Sequence, residues 1–134
     1  MSTGGPATGF GCDACFPEPA GRAWEARNAL ARELELINES HFHVMTLACR
    51  ACGQRFVSVF TETIDWDDGE DPQNWLLLPL TETEAERLAA RGDALTEQEL
   101  AALGPGRRAL EHDHPKDGPA RTFWSTGLFV GHHD

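Results

Sequence analysis

The chain of 134 residues is 40% hydrophobic and 8% aromatic, which is ordinary for a folded protein and provides enough material for one domain with a modest core. Its formal net charge is −11, and twelve of its 22 acidic residues lie between residues 61 and 106, where only two basic residues occur. Because nucleic-acid backbones and anionic membrane surfaces attract basic proteins, this charge argues against both kinds of partner.

The N-terminal segment shows no targeting pattern and predicts a flexible tail. Residues 1–11 are small, polar and rich in glycine, and no basic stretch followed by an apolar stretch occurs among them. The longest apolar runs, such as WLLLPL, are too short to cross a bilayer. We therefore expect a cytoplasmic protein with no membrane contact, in which a flexible tail over residues 1–11 leads into a single domain over residues 12–134.

An amphipathic helix is predicted over residues 22–38. Apolar residues recur there on roughly one stripe, namely Trp24, Leu30, Ala31, Leu34 and Ile37. Charged residues lie mostly on the opposite side, and two prolines precede the segment, where proline disturbs a helix least.

Two antiparallel strands are predicted over residues 41–48 and 54–64, joined by the turn CRACG. Both segments are rich in β-branched and aromatic residues, which favour strands. The acidic segment DWDDGEDPQ then predicts a turn. The segment NWLLLPL predicts a short buried strand, which Pro79 limits at its end.

Two helices are predicted over residues 82–91 and 97–103, because a Thr-x-x-Glu capping box begins each of them, at Thr81 and at Thr96. A glycine follows each helix, as is common at C-terminal ends. The next segment, GPGRRALEHDHPKDGPAR, predicts a long loop with one helical turn, and TFWSTGLFVG predicts a last strand.

The four cysteines of the chain form two Cys-x-x-Cys pairs, Cys12 with Cys15 and Cys49 with Cys52. A tight turn of this kind brings two thiolates to one point, and a structural zinc ion needs four such ligands at about 2.3 Å. In a reducing cytosol, two such pairs favour a metal over two disulfides. The sequence therefore predicts one Zn²⁺ ion bound by all four cysteines.

The segment CRACGQRF resembles the second half of a zinc ribbon, since Gly53 follows the second cysteine and allows the positive φ angle of such a turn. The whole pattern, Cys-x2-Cys-x33-Cys-x2-Cys, resembles a stretched zinc ribbon or zinc knuckle over residues 12–60. The resemblance implies zinc binding and no substrate. Four protein ligands leave no open position for water, so the site is expected to be structural and not catalytic.

The predicted elements together indicate an α+β protein, a single small domain in which a zinc-knuckle antiparallel hairpin packs against helices. We expect a non-enzymatic zinc-binding protein that acts as a protein-interaction module. The acidic segment that carries Trp66 and Trp75 is the predicted surface for the protein partner. The sequence leaves the oligomeric state open.

Two alternative functions also stay open. The four cysteines could form a redox switch that releases zinc on oxidation. An enzyme could instead use a separate pocket that contains histidine. Six histidines occur in three pairs, and the sequence leaves open whether any of them form a second metal site: His41, His43, His112, His114, His132 and His133.

Overall fold

A computed structural model describes residues 9–134, and its main feature is one six-stranded antiparallel sheet. Residues 1–8, which include most of the predicted tail, lie outside the described residues. The strands follow one another across the sheet in chain order: β1 (Ala31–Glu39), β2 (Phe42–Ala48), β3 (Arg55–Glu62), β4 (Gln73–Pro79), β5 (Arg108–His114) and β6 (Arg121–Thr126). Three α-helices of 7, 10 and 5 residues accompany them: α1 (Ala20–Ala26), α2 (Glu82–Arg91) and α3 (Glu97–Ala101).

The prediction of an α+β protein is wrong, because the sheet dominates the fold and the helices are minor. The predicted hairpin is present as β2 and β3, joined by the CRACG turn. Each of its strands also pairs with a further strand, β2 with β1 and β3 with β4. The hairpin is therefore the middle of a larger sheet, in which neighbouring strands satisfy the backbone donors and acceptors of one another.

Both faces of the sheet are covered, each by different helices. The core that includes α2 and α3 lies on what we call the α2 face, and its buried residues are Leu36, Phe42, Val44, Val57, Val59, Leu76, Leu78, Leu80, Ala85, Leu88, Leu95, Leu100, Leu103, Ala109 and Leu128. The core that includes α1 lies on the α1 face, with Cys15, Phe16, Ala23, Leu47, Cys49, Phe56, Leu77 and Leu110 buried. Successive residues of a strand point to opposite faces, so Leu76 and Leu78 join the first core and Leu77 joins the second.

The predicted helix over residues 22–38 is wrong beyond its first turns. α1 ends at Ala26, a single 3-10 turn follows, and the rest of the segment forms the edge strand β1. The sequence RELELINE alternates charged and apolar residues over part of its length, so the pattern also fits a strand. Pairing with β2 gives its backbone groups partners, and Leu36 is buried in the core of the α2 face while Leu34 stays 43% exposed.

The predicted loop over residues 104–121 is also wrong, because its centre forms β5. Alanine, glutamate and aspartate are depleted in strands, so local propensity favours a loop here. β5 nevertheless lies between β4 and β6 and pairs with both. Its Ala109 and Leu110 are buried in the cores on opposite faces. The predicted last strand is β6, which ends at Thr126.

The capping-box predictions are confirmed. At α2, the Thr81 hydroxyl accepts a hydrogen bond from the Glu84 backbone N–H, and the Glu84 carboxylate accepts one from the Thr81 backbone N–H. The same reciprocal bonds join Thr96 and Glu99 at α3. Neither these helices nor any other helix among residues 9–134 has the length and apolar character needed to span a membrane.

Candidate metal centre

The four cysteines lie in two loops that the fold brings together. The first pair, Cys12 and Cys15, lies in the loop before α1. The second pair, Cys49 and Cys52, lies in the turn between β2 and β3. Phe16, which follows the first pair, is buried with Cys15 and Cys49 in the core of the α1 face. This apolar contact holds the first pair beside the second.

The distances between the sulfur atoms fit a tetrahedral metal site. Cys12 Sγ lies 3.8 Å from both Cys15 Sγ and Cys49 Sγ, and Cys15 Sγ lies 3.8 Å from Cys52 Sγ. All four sulfurs lie within 4.8 Å of one another. Four ligands at about 2.3 Å from a common tetrahedral centre are about 3.8 Å apart. The four thiols are free, and their arrangement could hold one metal ion.

The turn of the second pair has the geometry expected from its glycine. The Cys49 N–H donates to the Gln54 carbonyl at 2.9 Å, and the Gly53 N–H donates to the Cys49 carbonyl at 2.9 Å. Gly53 has a φ of 81°, which other residues rarely adopt. The Ala51 N–H lies 3.3 Å from Cys49 Sγ and donates to it, so the turn also stabilises a thiolate at this position.

The loop of the first pair also depends on a glycine, but one that precedes the cysteines. Gly11 has a φ of 74°, and a Cβ atom there would lie only 2.7 Å from Phe16 Cβ and 3.1 Å from Cys15 Sγ. The Phe16 N–H donates to the Cys12 carbonyl at 2.7 Å, which closes the loop, and the Cys12 N–H donates to Cys15 Sγ at 3.2 Å. The Cys-x-x-Cys-Gly pattern marks a glycine after a pair, as at Gly53, and gives no signal for Gly11, which precedes one.

Gln54 connects the loops of both pairs to the rest of the fold. Its side-chain oxygen accepts a hydrogen bond from the Gly11 N–H at 3.0 Å. Its side-chain nitrogen donates to the Leu80 carbonyl at 2.8 Å and to the Arg55 carbonyl at 2.7 Å. No spacing rule marks this residue in the sequence, because its partners are 43 and 26 positions away.

The pKa values of three of the four thiols are shifted from their ordinary value. Burial raises the pKa of Cys15 far above its ordinary value, and burial is also the largest cause that raises the pKa of Cys52. Burial acts in the same direction on Cys49, but hydrogen bonds from the backbone of Cys52 and Ala51 outweigh it and lower the pKa of Cys49 to about 7. A bound metal ion would remove the mutual repulsion of the sulfurs and hold all four as thiolates.

The four sulfur ligands differ in their access to solvent. Cys15 is 1% exposed and Cys49 is 6% exposed, whereas Cys52 lies at the surface. Cys52 lines a cavity of about 490 Å³ together with Gly53 and Gln54. Any reagent that reaches the centre from this cavity meets Cys52 first.

The histidines form no second group of this kind. Across the described part of the chain, only the four cysteines form a group of three or more histidine, cysteine or carboxylate side chains that could hold a metal ion. His41 lies 3.0 Å from the Glu62 carboxylate, and the His112 ring stacks on Trp24 with 4.0 Å between centroids. Burial lowers the pKa of His112, so this ring stays neutral at pH values where a free histidine begins to gain a proton.

The acidic turn, residues 65–71, is ordered by its own side chains. The Asp65 carboxylate accepts hydrogen bonds from three backbone N–H groups of the turn, those of Asp67, Asp68 and Glu70. The Lys116 ammonium lies 3.3 Å from Asp65 and 3.2 Å from Asp68. This fixed turn carries Trp66, which is 86% exposed.

Trp75 occupies a different environment from Trp66. It belongs to β4 on the sheet, and its ring contacts Trp24 and Phe60 with centroid distances of 5.7 and 4.6 Å. The two tryptophans of the predicted partner surface therefore lie in unlike places, one exposed on the turn and one half-buried among aromatic rings.

No protein-family model, curated protein or solved structure matches this chain. The likeness to zinc ribbons therefore depends on the cysteine spacing in the sequence and on the cluster of sulfurs in the structure.

Proposed function

We propose that this chain is a zinc-binding protein in which Cys12, Cys15, Cys49 and Cys52 form a closed structural site. The observation that carries the proposal is the approach of all four sulfurs to within 4.8 Å of one another. Four thiolates in a tetrahedral arrangement suit zinc or iron, and zinc is the usual ion of closed structural sites. All four positions around the ion would be taken by protein sulfur, so no water could be activated on it.

The ion would act by joining two loops that no backbone–backbone hydrogen bond connects among the described residues. The hydrogen bond from Gly11 to Gln54 and the packing of Phe16 support the same junction. Because ligands far apart in the chain converge only in the folded state, the free energy of metal binding adds to the stability of that state. The metal centre would therefore fix the loop before α1 on the turn between β2 and β3.

Metal analysis of protein purified without a histidine tag tests the proposal. We expect one equivalent of zinc per chain and, after replacement with cobalt, an absorption spectrum with the thiolate-to-metal bands of all-sulfur coordination. The variant Cys49→Ser should lose the stoichiometric metal. The variant Ala51→Ser, which changes an exposed residue in the same turn, should keep it. One equivalent of zinc in both variants, or iron in the wild-type protein, would contradict the proposal.

The biological role that we propose for this scaffold is binding of another protein through the acidic turn. Trp66 is exposed and stands among carboxylates, so the complementary partner would offer an apolar pocket surrounded by lysine or arginine. Trp75 would support this surface indirectly, through its packing within the sheet.

A photo-crosslinking residue at position 66 tests this role. The crosslinked partner should carry a basic surface, and its affinity should fall as salt rises, because exposed charges are screened. Trp66→Ala should abolish the interaction. Phe129→Ala, which removes an aromatic side chain that is 45% exposed elsewhere, should leave it unchanged. Equal binding by both variants would exclude the acidic turn as the contact surface.

A thiol redox switch is the second candidate function, and the exposed Cys52 favours it. A peroxide would oxidise two thiolates to one disulfide, take up two protons and two electrons as it becomes water, and displace the zinc ion. Zinc release can be followed with a chromogenic chelator after peroxide is added. Release that is slow and independent of peroxide concentration would exclude the switch.

A further inference from the structure

A cavity of about 310 Å³ lies on the α2 face of the sheet, beneath the C-terminal segment of residues 127–134. Glu111 of β5 lines this cavity and belongs to the α2 face, because it pairs with Leu76 of that core. Other lining residues include Thr61, Asn74, Asp113, Arg121, Phe123 and Phe129. The cysteine centre packs on the α1 face, so the cavity is separate from it.

Glu111 carries a carboxylate that the described chain does not neutralise. The residue is 7% exposed, and one of its oxygens accepts a hydrogen bond from the Asn74 side-chain amide at 2.9 Å. The same amide donates to Asp113 at 3.1 Å, so a single neutral group serves both carboxylates. Among residues 9–134, no lysine, arginine or histidine nitrogen lies within 4.0 Å of either carboxylate.

Such an arrangement leaves the charge of Glu111 without a partner from the described residues, although its second oxygen is open to the cavity. Folded proteins pair buried charges, because an ionised group that leaves water loses its hydration and needs a partner in return. Here Arg121 also lines the cavity, but its guanidinium lies over the Phe123 ring at 5.0 Å and does not reach a carboxylate. The free oxygen of Glu111 therefore faces a space large enough to hold a partner from outside the chain.

The chemistry of the cavity selects the class of that partner. The two carboxylates of the cavity outnumber its one guanidinium, that of Arg121, and together with the net charge of −11 they attract cations. A divalent metal needs more converging ligands, and Glu111 and Asp113 belong to no group of three or more metal-binding side chains in the described residues. The cavity volume and the rings of Phe123 and Phe129 suit a small molecule with an apolar body.

We propose that this cavity binds a small organic cation, whose ammonium or guanidinium group is held by Glu111 and Asp113 and whose apolar part lies against Phe123 and Phe129. Asn74 orients the two carboxylates, because it donates to both. The ligand would supply the positive charge that no described residue places beside Glu111.

The C-terminal segment forms the outer wall of this site. The Asp134 N–H donates to the Glu62 carbonyl at 3.0 Å, and the Asp134 carboxylate accepts from the Ile64 N–H at 2.6 Å. His133 lies 3.1 Å from the Glu97 carboxylate. These bonds hold the segment across the sheet, and Phe129 and His132 then line the cavity from that side.

Titration of the full chain, followed by the amide resonances of Glu111, Asp113 and Gly131 in NMR spectra, tests the proposal. The probes are n-butylammonium and n-butylguanidinium chloride, and the matched controls are 1-butanol and sodium butyrate at equal ionic strength. We expect saturable shifts with both cations and none with either control. Glu111→Gln should weaken binding about tenfold or more, because it removes one member of a charge pair.

Two further measurements separate a binding role from a structural one. Without any probe, Glu111→Gln should melt at the same temperature as the wild-type protein or higher, because it removes an unneutralised charge from the interior. Glu39→Gln, at an exposed position on β1, should leave probe binding unchanged. If Glu111→Gln does not fold, Asp113→Asn carries the same prediction for binding. Equal shifts with 1-butanol, saturable shifts with magnesium chloride, or no saturation with either organic cation would each overturn the proposal.

Discussion

Cys12 Sγ lies 3.8 Å from Cys49 Sγ, although the two residues are 37 positions apart in the chain. Among the described residues, no backbone–backbone hydrogen bond joins the loop of the first pair to the turn of the second. The junction includes the sulfur cluster, the side chain of Gln54 and the apolar contact of Phe16. A metal ion at this point would therefore join two segments that the sheet itself leaves separate.

Removal of the metal should make the first-pair loop open more often, with the packed form still in the majority, while the sheet persists, because both faces of the sheet have extensive apolar cores. The Phe16 amide, bonded to the Cys12 carbonyl at 2.7 Å, reports on the loop. In hydrogen exchange measured with and without a chelator, amides of residues 12–16 should lose protection by about tenfold or more, whereas those of β3 and β4 should change little. Zinc added back should restore protection. Equal loss of protection in the loop and the sheet would show that the metal holds the whole fold.

Cys15→Ser and Cys52→Ser should differ once the metal has been removed. Both variants lack a ligand, but Cys15 is 1% exposed and Cys52 is at the surface. A buried hydroxyl without a good partner costs about 1–3 kcal/mol, so metal-free Cys15→Ser should lose about that much free energy of unfolding. Metal-free Cys52→Ser should stay within about 0.5 kcal/mol of the wild-type protein. Urea unfolding in the presence of a chelator measures the unfolding free energies of both variants. Equal losses would contradict the expected dependence on burial.

Gly11→Ala should be more damaging than Gly53→Ala. Both glycines have positive φ, which costs an alanine about 1–2 kcal/mol. Apart from the two chain neighbours of Gly53, no atom of residues 9–134 lies within 4 Å of a Cβ added there. At Gly11 the added Cβ would lie 2.7 Å from Phe16 Cβ and 3.1 Å from Cys15 Sγ, so the loop must also shift. We therefore expect both variants to lose stability, Gly11→Ala more than Gly53→Ala. Weaker metal binding is expected for Gly11→Ala alone.

Gly21→Ala is the control for this comparison, because Gly21 lies in α1 with open space around it and without positive φ. Alanine there should be neutral or stabilising by up to about 1 kcal/mol. Unfolding free energies and zinc affinities of the three variants should be measured together. Equal zinc affinity in Gly11→Ala and Gly53→Ala would argue against a shift of the Cys15 sulfur.

The Glu84–Arg107 pair should make stability depend on pH in the acidic range. Burial raises the pKa of Glu84, but hydrogen bonds from Arg107, at 2.6 and 3.2 Å, and from the Thr81 N–H outweigh it, so its pKa lies below the ordinary 4.5. A carboxyl with a lowered pKa in the folded state contributes stability above its unfolded pKa. This contribution is lost as the pH falls through the folded pKa.

Glu84→Gln should therefore lower the free energy of unfolding at neutral pH by about 1.5–3 kcal/mol, the usual contribution of hydrogen bonds to charged groups. The difference from the wild-type protein should shrink as the pH falls below about 4.5. Protonation of the cysteines affects both proteins alike, so it cancels in the comparison. Glu86→Gln, an exposed change on the same helix, should show no such dependence. A difference between Glu84→Gln and the wild-type protein that is constant with pH would exclude this role of the carboxylate.

The sequence by itself determined the elements whose cause is local. The capping boxes at Thr81 and Thr96 were predicted because their bonds close within three residues. The hairpin of β2 and β3 was predicted because the turn and the two flanking strands are contiguous. The four cysteines could be assigned to one cluster because two Cys-x-x-Cys turns account for every cysteine in the chain.

The tertiary structure alone decided the rest, because the deciding contacts are remote in the chain. The segments of β1 and β5 have ambiguous or poor strand propensity, and their conformation follows from the neighbouring strands that satisfy their backbone groups. The protein is therefore mostly β, whereas the local patterns of the sequence predict an α+β protein. Likewise, only the folded chain brings Gly11 to Gln54, 43 positions away, and places Glu111 in the cavity beneath the C-terminal segment, since no short-range pattern encodes either contact.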